Sequence, residues 1–310
     1  MKAHRIVVVG SANTDMIIRL KRIPRPGETI LGGEFFTAAG GKGANQAVSA
    51  ARAGGNVSFI ARLGQDAFGD QAVAGYASDR IDIAHVVRDP KLPSGVGLIF
   101  LEQGGQNSIA VASGANDRLS PKDVKQAAAL FTGASIVLLQ LEIPLRTIQA
   151  AIRLAVQVGA RVILNPAPAR ALPDNLLRQV SIVTPNETEA ELLTGVRVNS
   201  VASAARAASA LRARSIPTVI VTLGARGAFV SSDGIERLVP GFKVRAVDTT
   251  AAGDIFNGAL AVALAEDQPL TQAIRFAHAA AAISVMHLGA QPSAPLRRQI
   301  DRFIRSSAGR

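Results

Sequence analysis

Two stretches of the chain gather residues able to manage a phosphorylated ligand. Asp248-Thr249-Thr250-Ala251-Ala252-Gly253-Asp254 leads into an apolar run over 255–265. Small residues at a helix start leave backbone N–H groups unpaired and open to an anion, and the helix dipole favours negative charge there. Asp254 stands at the same point. It reads either as a helix cap or as a general base beside a phosphate cradle, the pairing that phosphoryl transfer to a hydroxyl requires. On the second reading Ala251, Ala252 and Gly253 form the anion hole. The other stretch is Ala39-Gly40-Gly41-Lys42-Gly43-Ala44-Asn45. Its three glycines let the backbone turn sharply and approach a ligand. It is not a Walker A loop, because position 36 is Phe and Gly43 follows the lysine. Nor is it a dinucleotide fingerprint, because Gln46 stands where the third glycine belongs.

Three further sites are polar where a ligand would be met. Thr184-Pro185-Asn186-Glu187-Thr188-Glu189 joins an apolar run to a helix. Its carboxylates either complement the helix N-terminus or position Mg²⁺ on a nucleotide. Asn13-Thr14-Asp15 reads as an Asx turn or as a set of ligands for sugar hydroxyls. Glu142 ends the apolar run 136–141, at a carboxyl edge where open α/β sheets bind ligands. The histidines His4, His85, His278 and His287 share no metal-ligand spacing, and spacing gives none of them a catalytic role.

These residues need a frame. Continuous β-branched runs at 6–9, 57–61, 136–141, 162–164, 182–184 and 219–222 suit strands buried on both faces of a parallel sheet. Between them lie Ala-rich segments of helical length at 44–53, 71–78, 121–131, 145–158 and 202–213, and two helices close the chain at 254–265 and 270–286. The alternation predicts a three-layer, Rossmann-like α/β fold with a mostly parallel central sheet. Two regions break it. Strand-like pieces at 16–20 and 29–31 flank Pro24-Arg25-Pro26-Gly27, and another pair at 95–102 and 108–113 flanks Gly104-Gly105. Neither region contains a helix to serve as a crossover. We expect a small antiparallel β lid from about 13–37 and 95–114, inserted in a single domain spanning 1–310. Such a lid would exclude water from a reaction centre or offer its outer face to a second copy.

Composition removes other classes. The 310 residues contain no cysteine, which excludes disulfide scaffolds, zinc ribbons, iron–sulfur clusters and thiol chemistry and fits a reducing compartment. The net charge is +11, with 34 basic residues of which only 7 are Lys. Nucleic-acid binding is not expected, because there is no Trp, one Tyr and no basic block longer than two residues. The arginines read instead as a solvated surface that draws in anionic small molecules. No apolar stretch approaches the ~20 residues of a membrane span. The start, Met1 to Val9, reads as a first strand rather than a signal peptide because its apolar run stops after four residues. A cytoplasmic protein is expected.

Taken together the motifs resemble those of the ribokinase-like carbohydrate kinases, the PfkB family. Gly40-Gly41-Lys42-Gly43-Ala44-Asn45-Gln46-Ala47 is similar to the first family signature, and 248–258 to the second. Gly10–Asp15, Pro26–Thr29, Leu164–Arg170, Thr184–Glu189 and Gly289–Ser293 are similar too, in the family's order, over about 5–304. The resemblance implies transfer of phosphate from ATP to the 5-hydroxyl of D-ribose in a homodimer joined through the lid. It implies that Asn13, Asp15, Gly41, Lys42, Asn45 and Glu142 hold the sugar while Asp254 takes the hydroxyl proton. Asn186, Thr222, Gly224, Gly227, Gly253 and His278 would contact the nucleotide. Asn186 and Glu189 match a magnesium-linked motif, and K⁺ would sit near Asp248, Thr250, Ser284, His287, Gly289 and Ser293. The alternative is a family kinase acting on 2-deoxyribose, another sugar or a nucleoside. A nucleoside would need apolar or aromatic cover, and Phe100 is the one aromatic in the second lid strand pair. Two departures are visible: Ala251 stands where many members have Gly, and Ile255 where Thr is common. The second should change packing rather than activity.

Overall fold

A computed structural model describes residues 4–102 and 107–307 of the chain. The strands before the midpoint are β1 (Arg5–Val9), β2 (Asn13–Leu20), β3 (Glu34–Gly40), β4 (Asn56–Gly64), β5 (Asp82–Asp89), β6 (Gly95–Glu102) and β7 (Asn107–Ala112). After them come β8 (Ala134–Leu139), β9 (Arg161–Leu164), β10 (Ile182–Val183), β11 (Thr218–Thr222), β12 (Ala228–Ser232) and β13 (Ile235–Val239). Nine form one sheet in the order β13-β12-β11-β10-β9-β8-β1-β4-β5, parallel except at β12. Both faces are covered. Val48, Leu260 and Ile274 belong to the apolar layer on one side, Ile148, Ala151 and Leu211 to that on the other. This double burial is why the strand sequences run continuously apolar rather than alternating. Chain order reverses beside β1, so the carboxyl ends of β1 and β8 to β11 open onto a crevice of the kind that binds ligands in such sheets.

The lid is a four-stranded sheet in the order β3-β2-β6-β7. Its outer pairs are antiparallel, whereas the central pair β2–β6 is parallel, each strand arriving from a separate excursion out of the main sheet. Residues 29–31, expected as a strand, are not one. The partner of β2 is Glu34–Gly40, in register from Arg19 opposite Glu34 to Asn13 opposite Gly40. Gly32 and Gly33 at φ +89° and +118° turn the chain just before it. The lid strand therefore runs past residue 37 straight into the glycine loop. The expected turn at Gly104-Gly105, and Met1 to Ala3, lie outside the described residues.

Three smaller expectations are also revised. The helix expected over 121–131 is broken at Ala127 into Pro121–Gln126 and Ala128–Phe131. Glu142 does not end a strand, because β8 stops at Leu139 and Glu142 lies in the bend that follows. The strands β5, β12 and β13 were not anticipated. Among the described residues no helix is long and apolar enough to cross a membrane.

Candidate active site

Asp254 sits in the first turn of the helix Ala252–Ala265 and is buried. It does not cap that helix. Asn45 Nδ2 donates to Asp254 Oδ2 at 3.0 Å and Gln46 Nε2 to Oδ1 at 2.9 Å, both from the helix Lys42–Arg52. Close helix packing makes this reach possible. A Cβ on Gly258 would lie 2.6 Å from the Gln46 carbonyl oxygen and from Ser49 Cβ, and Ser49 Oγ donates to the Ile255 carbonyl at 2.8 Å. Ile255, fully buried in the same helix, is a packing residue as expected.

The glycine loop is shaped by Gly41, at φ +87°, where a Cβ would lie 2.7 Å from Asn13 N. Glu142 ties this loop to the end of β1: its Oε2 accepts from Ser11 Oγ at 2.6 Å and from the Lys42 N–H at 2.9 Å. Asn13 and Asp15 lie in β2 rather than in an Asx turn. Asn116 Nδ2 donates to Asn13 Oδ1 at 2.8 Å and so orients it. Asn13, Asp15, Gly41, Lys42, Asn45, Glu142 and Asp254 all line one cavity of about 420 Å³, roofed by Ile99, Ile109 and Val111 of the lid.

A second cavity of about 430 Å³ adjoins it. All six residues expected at the nucleotide line this cavity: Asn186, Thr222, Gly224, Gly227, Gly253 and His278. Phe242, Val244 and Phe256 supply an apolar wall that the motifs did not reveal. Burial pushes the His278 pKa down to about 4, so the ring is neutral, and the Pro240 carbonyl only tempers the effect. Neither ring nitrogen has a hydrogen-bond partner of normal geometry. A buried, unsatisfied polar group facing a cavity is suited to a ligand's donor or acceptor.

The two cavities share Asn186, Thr222, Thr249, Ala252 and Gly253. Ala251, the residue before the helix, holds φ +58°, a left-handed conformation unusual for a residue with a side chain. Of the N–H groups expected in the anion hole, that of Ala252 bonds the Thr249 carbonyl at 3.2 Å. Ala251 lines only the cavity beneath the lid, whereas Gly253 lines both.

Electrostatics single out the same place. Burial raises the pKa of Asp254, against the pull of Lys42 and the amides of Asn45 and Gln46. Asp15 is pushed up to about 6 by burial and then by Glu142, with Lys42 opposing. Burial disfavours the charge on Lys42, but Asp254, Glu142, Glu189 and Asp15 more than offset it and raise its pKa. One buried cation thus serves four carboxylates. Strongly perturbed groups gathered in a cleft mark a functional site.

Asn186 and Glu189 form a reciprocal cap: Asn186 N–H donates to Glu189 Oε2 at 2.9 Å, and Glu189 N–H to Asn186 Oδ1 at 2.8 Å. The capping alternative is therefore realised, and both side chains also face the cavity beneath the lid. Of the residues expected around K⁺, Asp248 accepts from Thr250 N–H at 2.9 Å and from Gly289 N–H at 2.8 Å, joining two loops. Burial opposes its charge, but the bonds from Thr250 and Gly289 hold its pKa below the usual value. Ser284 and Ser293 donate to the carbonyls of Ala281 and Ala290, and His287 is exposed. These last residues, with Gly289, line neither cavity.

The family model for pfkB family carbohydrate kinases matches residues 3–297. The chain belongs to the PfkB family of carbohydrate kinases. This family member is 46% identical over 299 residues to the ribokinase of Haemophilus influenzae, covering 96% of this chain and 98% of that one. It is 37% identical over 300 residues to the deoxyribokinase of Salmonella typhi, covering 96% and 98%. The structure of Arabidopsis thaliana ribokinase complexed with ribose and ATP matches with a TM-score of 0.90 at 34% identity, covering 96% of this PfkB kinase and 98% of that chain.

Proposed function

We propose that the chain transfers the γ-phosphoryl group of ATP to the 5-hydroxyl of D-ribose, giving D-ribose 5-phosphate and ADP. The observation that carries this reading is the meeting of two cavities at 249–253, with Asp254 on the sugar side of the junction. Asn13, Asp15, Lys42, Asn45 and Glu142 supply the polar contacts that a polyhydroxyl ligand needs. The lid excludes water, which would otherwise compete as acceptor. Asp254 takes the hydroxyl proton as the oxygen attacks phosphorus, and the N–H groups of Ala251, Gly253 and Asp254, unlike that of Ala252 bonded to the Thr249 carbonyl, receive the negative charge of the transferring group. The likeness to several ribokinases favours ribose over 2-deoxyribose as acceptor. The test is coupled ADP release with ribose, 2-deoxyribose, fructose and nucleosides. The highest kcat/KM should fall to ribose; a preference for deoxyribose would select the alternative, and no release with any acceptor would end the reading.

Two ions belong to this reading. Mg²⁺ would accompany the ATP phosphates, and Asn186 with Glu189 would orient its water shell. Asp248, with carbonyls near Thr250, Ser284, His287 and Gly289 and with Ser293, offers one carboxylate among neutral oxygens. That donor set suits a large, weakly hydrated K⁺ better than Mg²⁺, which demands tight octahedral geometry. Bound there, K⁺ would neutralise Asp248 and hold the 248–253 loop in shape. Turnover in a potassium-free Tris buffer should therefore rise several-fold in kcat on adding KCl, with little change in KM. An equal rise with choline chloride at matched ionic strength would refute the site.

We also propose a cytoplasmic homodimer joined through the lids. Phe35 and Leu98, 65% and 48% exposed, leave the lid with apolar surface that a second copy would cover. Sedimentation should give a dimer that Phe35→Asp converts to monomer; a wild-type monomer at micromolar concentration would contradict this.

A further inference from the structure

The carboxylate of Asp254 has two oxygens, and the groups that hold them are unlike. Asn45, on Oδ2, lines the sugar-side cavity. Gln46, on Oδ1, is fully buried and lines neither cavity. Its own amide is fixed in turn. Gln46 Nε2 also donates to Asn165 Oδ1 at 3.0 Å, and Gln46 Oε1 accepts from Gln140 Nε2 at 2.6 Å. Asn165 Nδ2 donates onward to the Thr184 carbonyl at 3.3 Å. Turning the Gln46 amide over would set its oxygen against Asp254 Oδ1 and Asn165 Oδ1 together. The network therefore permits one orientation.

We infer that Gln46 is the positioning residue of the general base: it anchors Oδ1 from the buried side and leaves Oδ2 as the oxygen that receives the sugar proton. Asn45 is the partner that can yield, because it alone of the two shares a cavity with the acceptor. It also has a second attachment, Gln291 Nε2 donating to Asn45 Oδ1 at 3.2 Å. A donor on the carboxylate favours its charged form and a fixed geometry limits wasted orientations. Gln140 acts one step behind, by locking the amide. Nothing in this assignment requires a contact between Gln46 and either substrate. It rests on the reading of Asp254 as general base to a sugar.

The charged groups around Asp254 are Lys42 and Glu142, with Asp15 and Glu189 farther along the same cavity. All four remain in place when Gln46 is replaced, so their contribution to a pH profile is common to every variant. Gln46→Met removes the donor at similar volume; Gln46→Glu sets a second carboxyl beside the base, and two adjacent carboxyls resist ionising together. The acid limb of the kcat–pH profile should move upward by about one unit in Gln46→Met and farther in Gln46→Glu. At neutral pH, kcat should fall ~10-fold or more. KM for ribose and for ATP should stay within about threefold, because the lost interaction is not one of uniform binding. Activity should return as pH is raised. Melting temperatures identify any variant that is merely unfolded, and Gln140→Met, which keeps both Gln46 donors, then reports the milder shift.

Failure is separable from failure of the functional reading. An inactive wild type would remove the reading itself. An active wild type whose folded variants keep its acid limb, or lose kcat equally at every pH, or lose it through KM, would overturn the positioning role.

Discussion

Asp254→Asn should lower kcat by ~10²–10⁴, the usual worth of general-base assistance, or about 3–5 kcal/mol of barrier. The asparagine fills the same space in the first turn of its helix but cannot take up a proton. Its amide still accepts from one of Asn45 and Gln46, although one of the two contacts at 3.0 and 2.9 Å must be lost. The fold should survive, because removing the charge also removes the cost of burying it, the cause that raises the Asp254 pKa. Ribose and ATP affinities, measured by calorimetry, should change by no more than about threefold. Retention of more than roughly a third of wild-type kcat would mean that another group takes the proton.

The second large effect is a trade between binding and stability at Asp15. Its pKa is pushed up to about 6 by burial and by Glu142, from an ordinary 3.8. A carboxyl whose folded pKa exceeds its unfolded pKa favours folding in its protonated form. That advantage is present below the unfolded value and is lost as pH rises through the folded one. Near neutral pH the substrate-free protein therefore carries an ionised Asp15 at a cost of order 1–3 kcal/mol. Asp15→Asn should raise the melting temperature at pH 7, and the gain should disappear below about pH 4. The same change should weaken ribose ~10–100-fold, since a built hydrogen-bonding site loses its charged partner, while ATP binding is spared. Equal losses for both substrates would point instead to a damaged fold. So would a lower melting temperature at pH 7.

Much of this was legible in the chain. The main-sheet strands behind the site are continuously apolar because both faces of that sheet are covered, and that pattern needs no tertiary knowledge. The residues named for the sugar gather in the cavity beneath the lid and those named for the nucleotide in the adjoining one, because short motifs at strand ends have little freedom in where they point. What escaped was set by contacts distant in sequence. Gln46 reads as a departure from a dinucleotide fingerprint, and nothing local signals that its amide meets Asp254, 208 positions away. Asn116 belongs to none of the motifs, yet it holds Asn13 across 103 positions. The apolar wall of Phe242, Val244 and Phe256 in the second cavity comes from a stretch without regular structure and one face of a buried helix, so no period reveals it. The edge strands β5 and β13, and β12 beside β13, mix polar and apolar residues, which hid them among loops. Lid strand β3 was displaced because Phe35 and Phe36, in the strand yet exposed, carry no burial pattern.

The most direct test is the identity of the product. The chain is incubated with ATP, Mg²⁺, KCl and ribose labelled with ¹³C at C5, and the mixture is read by phosphorus–proton and phosphorus–carbon correlated NMR. The expected result is one phosphomonoester whose phosphorus couples to the C5 protons, formed in step with ADP and absent with Asp254→Asn. Phosphate attached at C1, or ADP accumulating with inorganic phosphate and unchanged ribose, would contradict the proposed transfer to the 5-hydroxyl.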